Sequence, residues 1–183
     1  MPRLLLVRHG EAAAGWGDDL DPGLSDRGRA QAEAMAAAVA SLGPLRVLVS
    51  PLRRCRETAE PLLALWQAEP TVEPRVAELP SPPGSTLQSR TDWLRALMSS
   101  TWAEGAPELE SWRRDVISCL VALDTDTVVV THFIAINVVV GAATDDDRVV
   151  CEHLDNCSVT VVDVDGGALR LVQAGDKAIT EVL

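Results

Sequence analysis

A chain of 183 residues, 47% hydrophobic and 23% charged, has the balance of a single folded domain with a sizeable core. Its formal net charge of -11 argues against nucleic acid or an anionic membrane as partner, so an anionic ligand would need a local basic cluster. Four cysteines (Cys55, Cys119, Cys151, Cys157) form no C-x-x-C pair, which fits reduced thiols and a cytoplasmic location.

Leu4 to Val7 reads as a short buried strand, and it stops at Arg8-His9-Gly10-Glu11. The run leads straight into charge, so it is not expected to be a signal peptide. Open α/β sheets place ligand crevices at the carboxyl ends of their strands. An imidazole beside a permanent guanidinium at such an end points to an anion site holding a nucleophile or base. Ala12 to Gly23 is a loop by composition. Ser25 then fits an N-cap and Gly43-Pro44 a stop. Between them Ala30, Ala34, Met35, Ala38 and Leu42 recur at helical spacing, predicting one apolar face of mostly small side chains. Gly28 falls in the first turn, where a side chain would obstruct close approach.

Arg46 to Val49 is a second apolar strand ending at Ser50-Pro51. Pro51 is expected in the first turn of the next helix, which carries Arg53, Arg54, Arg56 and Thr58. Pro61 is expected to kink or end that helix. Thr71 to Glu73 is a third extended piece, followed by Arg75 to Leu79. Pro80, Pro82, Pro83 and Gly84 then form a loop that cannot be helical. Ser85 to Met98 and Pro107 to Leu123 read as helices, the second with a buried stripe at Leu109, Trp112, Val116, Leu120 and Leu123. Trp93, Trp102 and Trp112 are read as core aromatics in preference to a substrate wall.

Thr127 to Thr131 is β-branched throughout, the pattern of a strand buried on both faces, and it ends at His132. An apolar helix follows from Phe133 to Gly141; the run to Ala143 is too short to span a bilayer. Cys157 to Val164 and Ala168 to Gln173, around Gly166-Gly167, predict a terminal hairpin. The expected fold is a single α/β domain over residues 1–183: a three-layer α/β/α sandwich with a mostly parallel central sheet and a C-terminal β-hairpin.

If the strands before His9 and His132 are parallel, both imidazoles reach one sheet edge, and the second strand brings Ser50 and Arg54 there. Two imidazoles and two guanidiniums beside a helix N-terminus suit a multiply charged tetrahedral anion better than a carboxylate. Gly10 is either a turn glycine or a bare backbone position that lets phosphate approach. Glu11 is expected to orient the loop.

Four blocks occur in order: R-H-G-E after the first strand, L-S-x-x-G-x-x-Q-A at Leu24 to Ala32, S-P-L-x-R-x-x-x-T-A at Ser50 to Ala59, and T-H at Thr131-His132. With these the sequence resembles the histidine phosphatase superfamily, the phosphoglycerate-mutase-like proteins, from Leu4 to roughly the terminal hairpin. The resemblance implies that His9 is the nucleophile that becomes phosphohistidine. It implies that Arg8, Arg54 and His132 bind the phosphoryl oxygens, with His132 also part of the catalytic set. Glu78, in V-A-E-L, would protonate the leaving oxygen and then activate water. The sequence departs from mutase-like members, which often carry an asparagine shortly after R-H-G-E where Gly15 stands here, and Leu79-Pro80-Ser81-Pro82 replaces a glycine-bearing segment.

Cys151, His153 and Cys157 match no common zinc spacing, and Asp18, Asp19 and Asp21 lack the acid an EF-hand needs, Arg29 standing in its place. No metal or cofactor is therefore expected. The expectation is a metal-independent phosphomonoester hydrolase of a small phosphorylated metabolite, with a substrate-specificity insertion around 79–108, as monomer or homodimer. One alternative is a protein phosphohistidine phosphatase in signalling, whose compact branch the acidic loop and E-L-x-x-P at Glu78 resemble. The other is a catalytically silent phosphate-binding regulatory protein.

Overall fold

The computed structural model describes residues 1–14, 19, 21–105 and 107–177; the readings that involve Gly15 and Asp18 lie outside them. Six strands make one sheet: β1 (Arg3–Arg8), β2 (Arg46–Val49), β3 (Thr71–Val72), β4 (Thr127–Thr131), β5 (Val159–Asp165) and β6 (Ala168–Gln173). Their spatial order is β3-β2-β4-β1-β5-β6. The first four run parallel, whereas β5 pairs antiparallel with β1 and β6 antiparallel with β5. The central strand β4 is buried from end to end, as its β-branched run requires.

Side chains alternate across each strand, so the sheet divides its apolar residues between two cores. Leu5, Val7, Val47, Val49, Val128 and Val130 face helices α1 (Asp26–Val39) and α2 (Arg53–Trp66). Leu4, Leu6, Leu48 and Val129 face the opposite layer, built from α3 (Leu87–Met98), α4 (Trp102–Gly105), α5 (Glu110–Val121) and α6 (Phe133–Thr144). The three-layer α/β arrangement with a terminal hairpin is therefore as expected. Trp102 is fully buried and Trp93 and Trp112 pack on the same core, in line with the core reading of the aromatics. No helix among the described residues is long and apolar enough to cross a membrane.

Several local expectations are corrected. The buried face of α1 is Gly28, Ala32, Met35, Ala36 and Val39, whereas Ala30, Ala34, Ala38 and Leu42 are exposed. In an alanine-rich helix almost every face is weakly apolar, and the two bulky residues Met35 and Val39 decide which one turns inward. Pro51 precedes the helix instead of opening it: α2 starts at Arg53, with the Asp21 carboxylate accepting from the Arg53 amide at 2.8 Å. Nor does Pro61 end α2, which continues to Trp66. The missing ladder bond is offset by burial of Cys55, Ala59 and Leu62 on either side of it. The short α4 was not anticipated.

Parallel register brings the strand ends level. Arg8 lies opposite Thr131 and Val49 opposite Val130. The ladder continues one step beyond the strands: the His9 amide donates to the Thr131 carbonyl and the Ser50 amide to the Val130 carbonyl, each at 3.0 Å. The loop after His9 is pressed against α1, whose N-cap Ser25 receives the Gly28 amide. A Cβ on Gly28 would lie 2.1 Å from the Glu11 carbonyl oxygen. Gly28→Ala should therefore destabilise the protein by more than about 1 kcal/mol in urea titration, although alanine would gain about that much in helix propensity. A neutral or stabilising result would show that the loop yields freely.

Candidate active site

His9 enters the site with its tautomer assigned by the backbone. Its Nδ1 lies 2.8 Å from the Gly10 carbonyl, an acceptor only, so Nδ1 carries the proton and Nε2 keeps its lone pair. Arg54, from the first turn of α2, donates through Nε to that Nε2 at 3.2 Å. The same guanidinium donates through Nη2 to Nδ1 of His132 at 3.2 Å. His132 therefore carries its proton on Nε2, 2.7 Å from the Ser50 hydroxyl oxygen that accepts it. The two rings stand edge to face with centroids 5.3 Å apart. Cys55 packs beside His132, its thiol donating to the Thr131 carbonyl, and burial pushes that thiol well above its ordinary range.

Both imidazoles are buried among fixed cations. Burial, then Arg54, then Arg8 pull His9 down to about 3. His132 falls well below its ordinary value through burial, His9, Arg54 and Arg8. Arg8 is the last residue of β1; its guanidinium lies 5.0 Å from the Phe133 ring centre and donates to the Leu154 carbonyl. Its Nε is buried without a hydrogen-bond partner among the described residues, which leaves a donor for a bound anion.

Glu78 follows a tight 3-10 turn, Pro74–Val76, that the Thr131 hydroxyl holds by donating to the Val76 carbonyl at 2.6 Å. This bond ties the segment to the end of β4. One carboxylate oxygen lies 3.6 Å from His132 Nδ1 and 3.9 Å from Arg54 Nη2, and the other accepts from the Leu79 amide at 3.1 Å. Burial raises the Glu78 carboxyl above its ordinary pKa, against the opposing pull of Arg54, the Leu79 amide, Arg90 and Arg8.

The structure thus brings together Arg8, His9, Arg54, Glu78 and His132. Gly10 stands beside them. A Cβ there would lie 2.7 Å from the Gly28 carbonyl oxygen, and its amide donates to the Thr58 hydroxyl at 3.0 Å. Close packing on α1 accounts for its bare backbone. Glu11 ties down the loop, as expected: its carboxylate accepts from Ser25 at 2.8 Å and pairs with Arg27 at 3.5 Å.

Three neighbours were given no role from the sequence. Thr58 joins Gly10 to α2 by donating onward to the Arg54 carbonyl at 2.7 Å, a link that its place one turn after Arg54 could have suggested. Asn156 donates to the His9 carbonyl at 3.0 Å from a turn with no periodic signal. Arg90, on α3, lines the cleft with Arg8, His9, Arg54, Glu78 and Phe133; the cleft holds about 210 Å³. Among the described residues no three His, Cys, Asp or Glu side chains are grouped so as to hold a metal ion.

The sequence model of the histidine phosphatase superfamily (branch 1) matches residues 4–177, and the chain belongs to that superfamily. It is 28% identical over 187 aligned positions to a probable phosphoglycerate mutase of Erwinia tasmaniensis, covering 89% of this chain and 85% of that protein. Among solved structures, a mycobacterial glucosyl-3-phosphoglycerate phosphatase complexed with VO3 is similar at TM-score 0.72 and 26% identity, covering 94% of this chain and 98% of that one. A phosphoserine phosphatase of Entamoeba histolytica, in complex with 3-phosphoglyceric acid, shares the fold at TM-score 0.75 and 20% identity, covering 98% of each chain.

The buried histidines make stability pH-dependent. Unfolded, they bind protons below about 6.5; folded, His9 does so only near 3. The unfolded state therefore holds more protons between these values, and stability falls as pH drops through that window. Glu78 acts in the opposite sense, contributing below its unfolded pKa and losing that contribution as pH rises through its raised folded value. The Tm should fall on acidification below about pH 6.5, and less steeply in His9→Asn. Identical slopes in the two proteins would exclude His9 as a source.

Proposed function

We propose that this chain hydrolyses small phosphomonoesters, without a metal, through a phosphohistidine on His9. One observation carries the reading: the neutral His9 ring, its proton committed to the Gly10 carbonyl, presents its Nε2 lone pair to the Arg54 guanidinium. An arriving phosphoryl group would replace the ring as partner of Arg54, with Arg8 and His132 around its remaining oxygens. Nε2 then attacks phosphorus as the P–O bond to the leaving alcohol breaks on the opposite side. Fixed guanidiniums offset the charge that builds on the transferring group.

Glu78 supplies the proton. Burial favours its neutral form, so it can protonate the leaving oxygen and remain as a carboxylate. In the second half the carboxylate takes a proton from water, whose oxygen attacks phosphorus and breaks the P–N bond. Phosphate leaves, with His9 neutral and Glu78 protonated again. The size of the cleft, about 210 Å³, supports a small substrate. The similarity to a glucosyl-3-phosphoglycerate phosphatase supports hydrolysis of a phosphorylated metabolite. The two departures from the mutase-like pattern favour hydrolysis over mutase chemistry.

His9→Ala should lower turnover of an aryl phosphate by at least about 10³-fold while leaving the circular dichroism spectrum unchanged. Wild-type protein mixed with labelled substrate and quenched in base should carry an acid-labile label, absent from His9→Ala. A wild-type protein that turns over no phosphoester would support a silent phosphate-binding role instead, and one that hydrolyses only phosphohistidine protein would support the signalling alternative. For Glu78→Gln the loss should be about 10²- to 10⁴-fold on alkyl phosphates and smaller on aryl phosphates, whose leaving groups need no proton. Equal losses on the two classes would remove Glu78 from the proton-donor role.

A further inference from the structure

The Gly10 carbonyl decides the state of His9, because it holds the ring proton on Nδ1 and so leaves the lone pair on Nε2. Glycine has the least backbone preference of its own, so the direction of that carbonyl has to be imposed from outside. The peptide units on both sides of Gly10 are each held at both ends. Between His9 and Gly10, the carbonyl accepts from Asn156 Nδ2 and the amide donates to the Thr58 hydroxyl, each at 3.0 Å. Between Gly10 and Glu11, the carbonyl meets the His9 ring and the amide donates to Gln31 Oε1 at 2.9 Å.

The preceding unit, between Arg8 and His9, is held by backbone alone. Its carbonyl accepts from the Cys157 amide and its amide donates to the Thr131 carbonyl, each at 3.0 Å. Past the strand end the ladder stops and side chains take over. Asn156 is itself fixed in a turn: its amide donates to the Asp155 carboxylate at 2.8 Å, and Cys157 beside it takes a left-handed φ of 58°. Gln31 projects from α1, the helix on which Gly28 meets the loop. Both amide side chains also line an open groove of about 400 Å³, so replacing either leaves no enclosed cavity.

We propose that Asn156 and Gln31 are positioning residues for His9: by fixing the peptide units around Gly10, they keep its carbonyl on the ring N–H and Nε2 free to attack. The inference rests on the phosphohistidine reading and adds to it the groups that set the tautomer of the nucleophile. Thr58 shares the task, but it also bonds the Arg54 carbonyl, so its replacement would disturb the phosphate-binding arginine as well.

Asn156→Leu and Gln31→Leu test the proposal by removing each amide at nearly constant volume, with alanine at either position as the second variant should leucine prevent folding. On an aryl phosphate, kcat/KM should fall by about ten- to a hundredfold, the scale of a small misplacement of a reacting group, and mainly through kcat. Histidine ¹⁵N NMR of the free proteins reads the tautomer directly, and His9→Asn identifies the His9 signals among the three histidines. Wild-type His9 should show a proton on Nδ1 and a bare Nε2; each variant should move part of the signal to the Nε2–H form. Gln173→Leu, which removes an amide from the same groove, should leave rate and spectrum unchanged. An unchanged tautomer in both variants overturns the proposal, as does a shifted tautomer with unchanged kcat. A rise in KM alone would make Asn156 a substrate contact instead. A tautomer shift in the variants of a protein whose wild type turns over no phosphoester would overturn the hydrolase reading and keep the positioning; turnover by wild type with an undisturbed tautomer in the variants would do the reverse.

Discussion

A single buried guanidinium between two neutral imidazoles holds this site together. Arg54 donates to His9 Nε2 and to His132 Nδ1, and its geometry dictates which nitrogen of each ring carries a proton. A lysine could not do this, because one ammonium has neither the reach nor the planar fork to address both rings. The cost of burying that charge is reduced by the open cleft, where an anion can approach. Around it, Ser50 and the Gly10 carbonyl complete the orientation of the rings from the outer side.

That arrangement depends on three parallel strands ending level. His9, Ser50 and His132 each follow a strand, and the amides of His9 and Ser50 extend the ladder past its apolar part. A register slip of one residue would turn His9 to the opposite face of the sheet. Register is protected because Leu4, Leu6, Leu5 and Val7 are divided between two cores, so a slip would mismatch both. The loop beyond His9 is then held by contact of two glycines, Gly10 and Gly28, whose backbones approach too closely for any side chain.

This explains what the sequence made legible. Each strand announced itself as an apolar run that stops at a polar residue, and the sheet edge followed from assuming those strands parallel. His9 and His132 could be placed from local pattern because each directly follows a strand, whereas Arg54 stands out from Arg53 and Arg56 only through the spacing of the S-P-L-x-R block. Glu78 was reached only through the V-A-E-L resemblance, since its position is held by a bond between Thr131 and Val76, far apart in sequence. Asn156 and Arg90 gave no local sign, one lying in a turn and the other on a helix where an arginine ordinarily faces water. The inward face of α1 was misread because alanine carries too little apolar area to set a direction against Met35 and Val39.

The electrostatics of the site divide along the same lines. Desolvation acts on His9, His132 and Glu78 alike, yet its consequence differs with the sign of the charged form. It keeps the two imidazoles neutral, reinforced by the arginines, and it raises the Glu78 carboxyl in opposition to them. One environment thus shifts an imidazole and a carboxyl in opposite directions, each toward its neutral form. Entry of a dianionic phosphoryl group would reverse part of this balance. Its charge neutralises Arg8 and Arg54 and removes their pull on Glu78, so substrate binding itself favours the protonated acid.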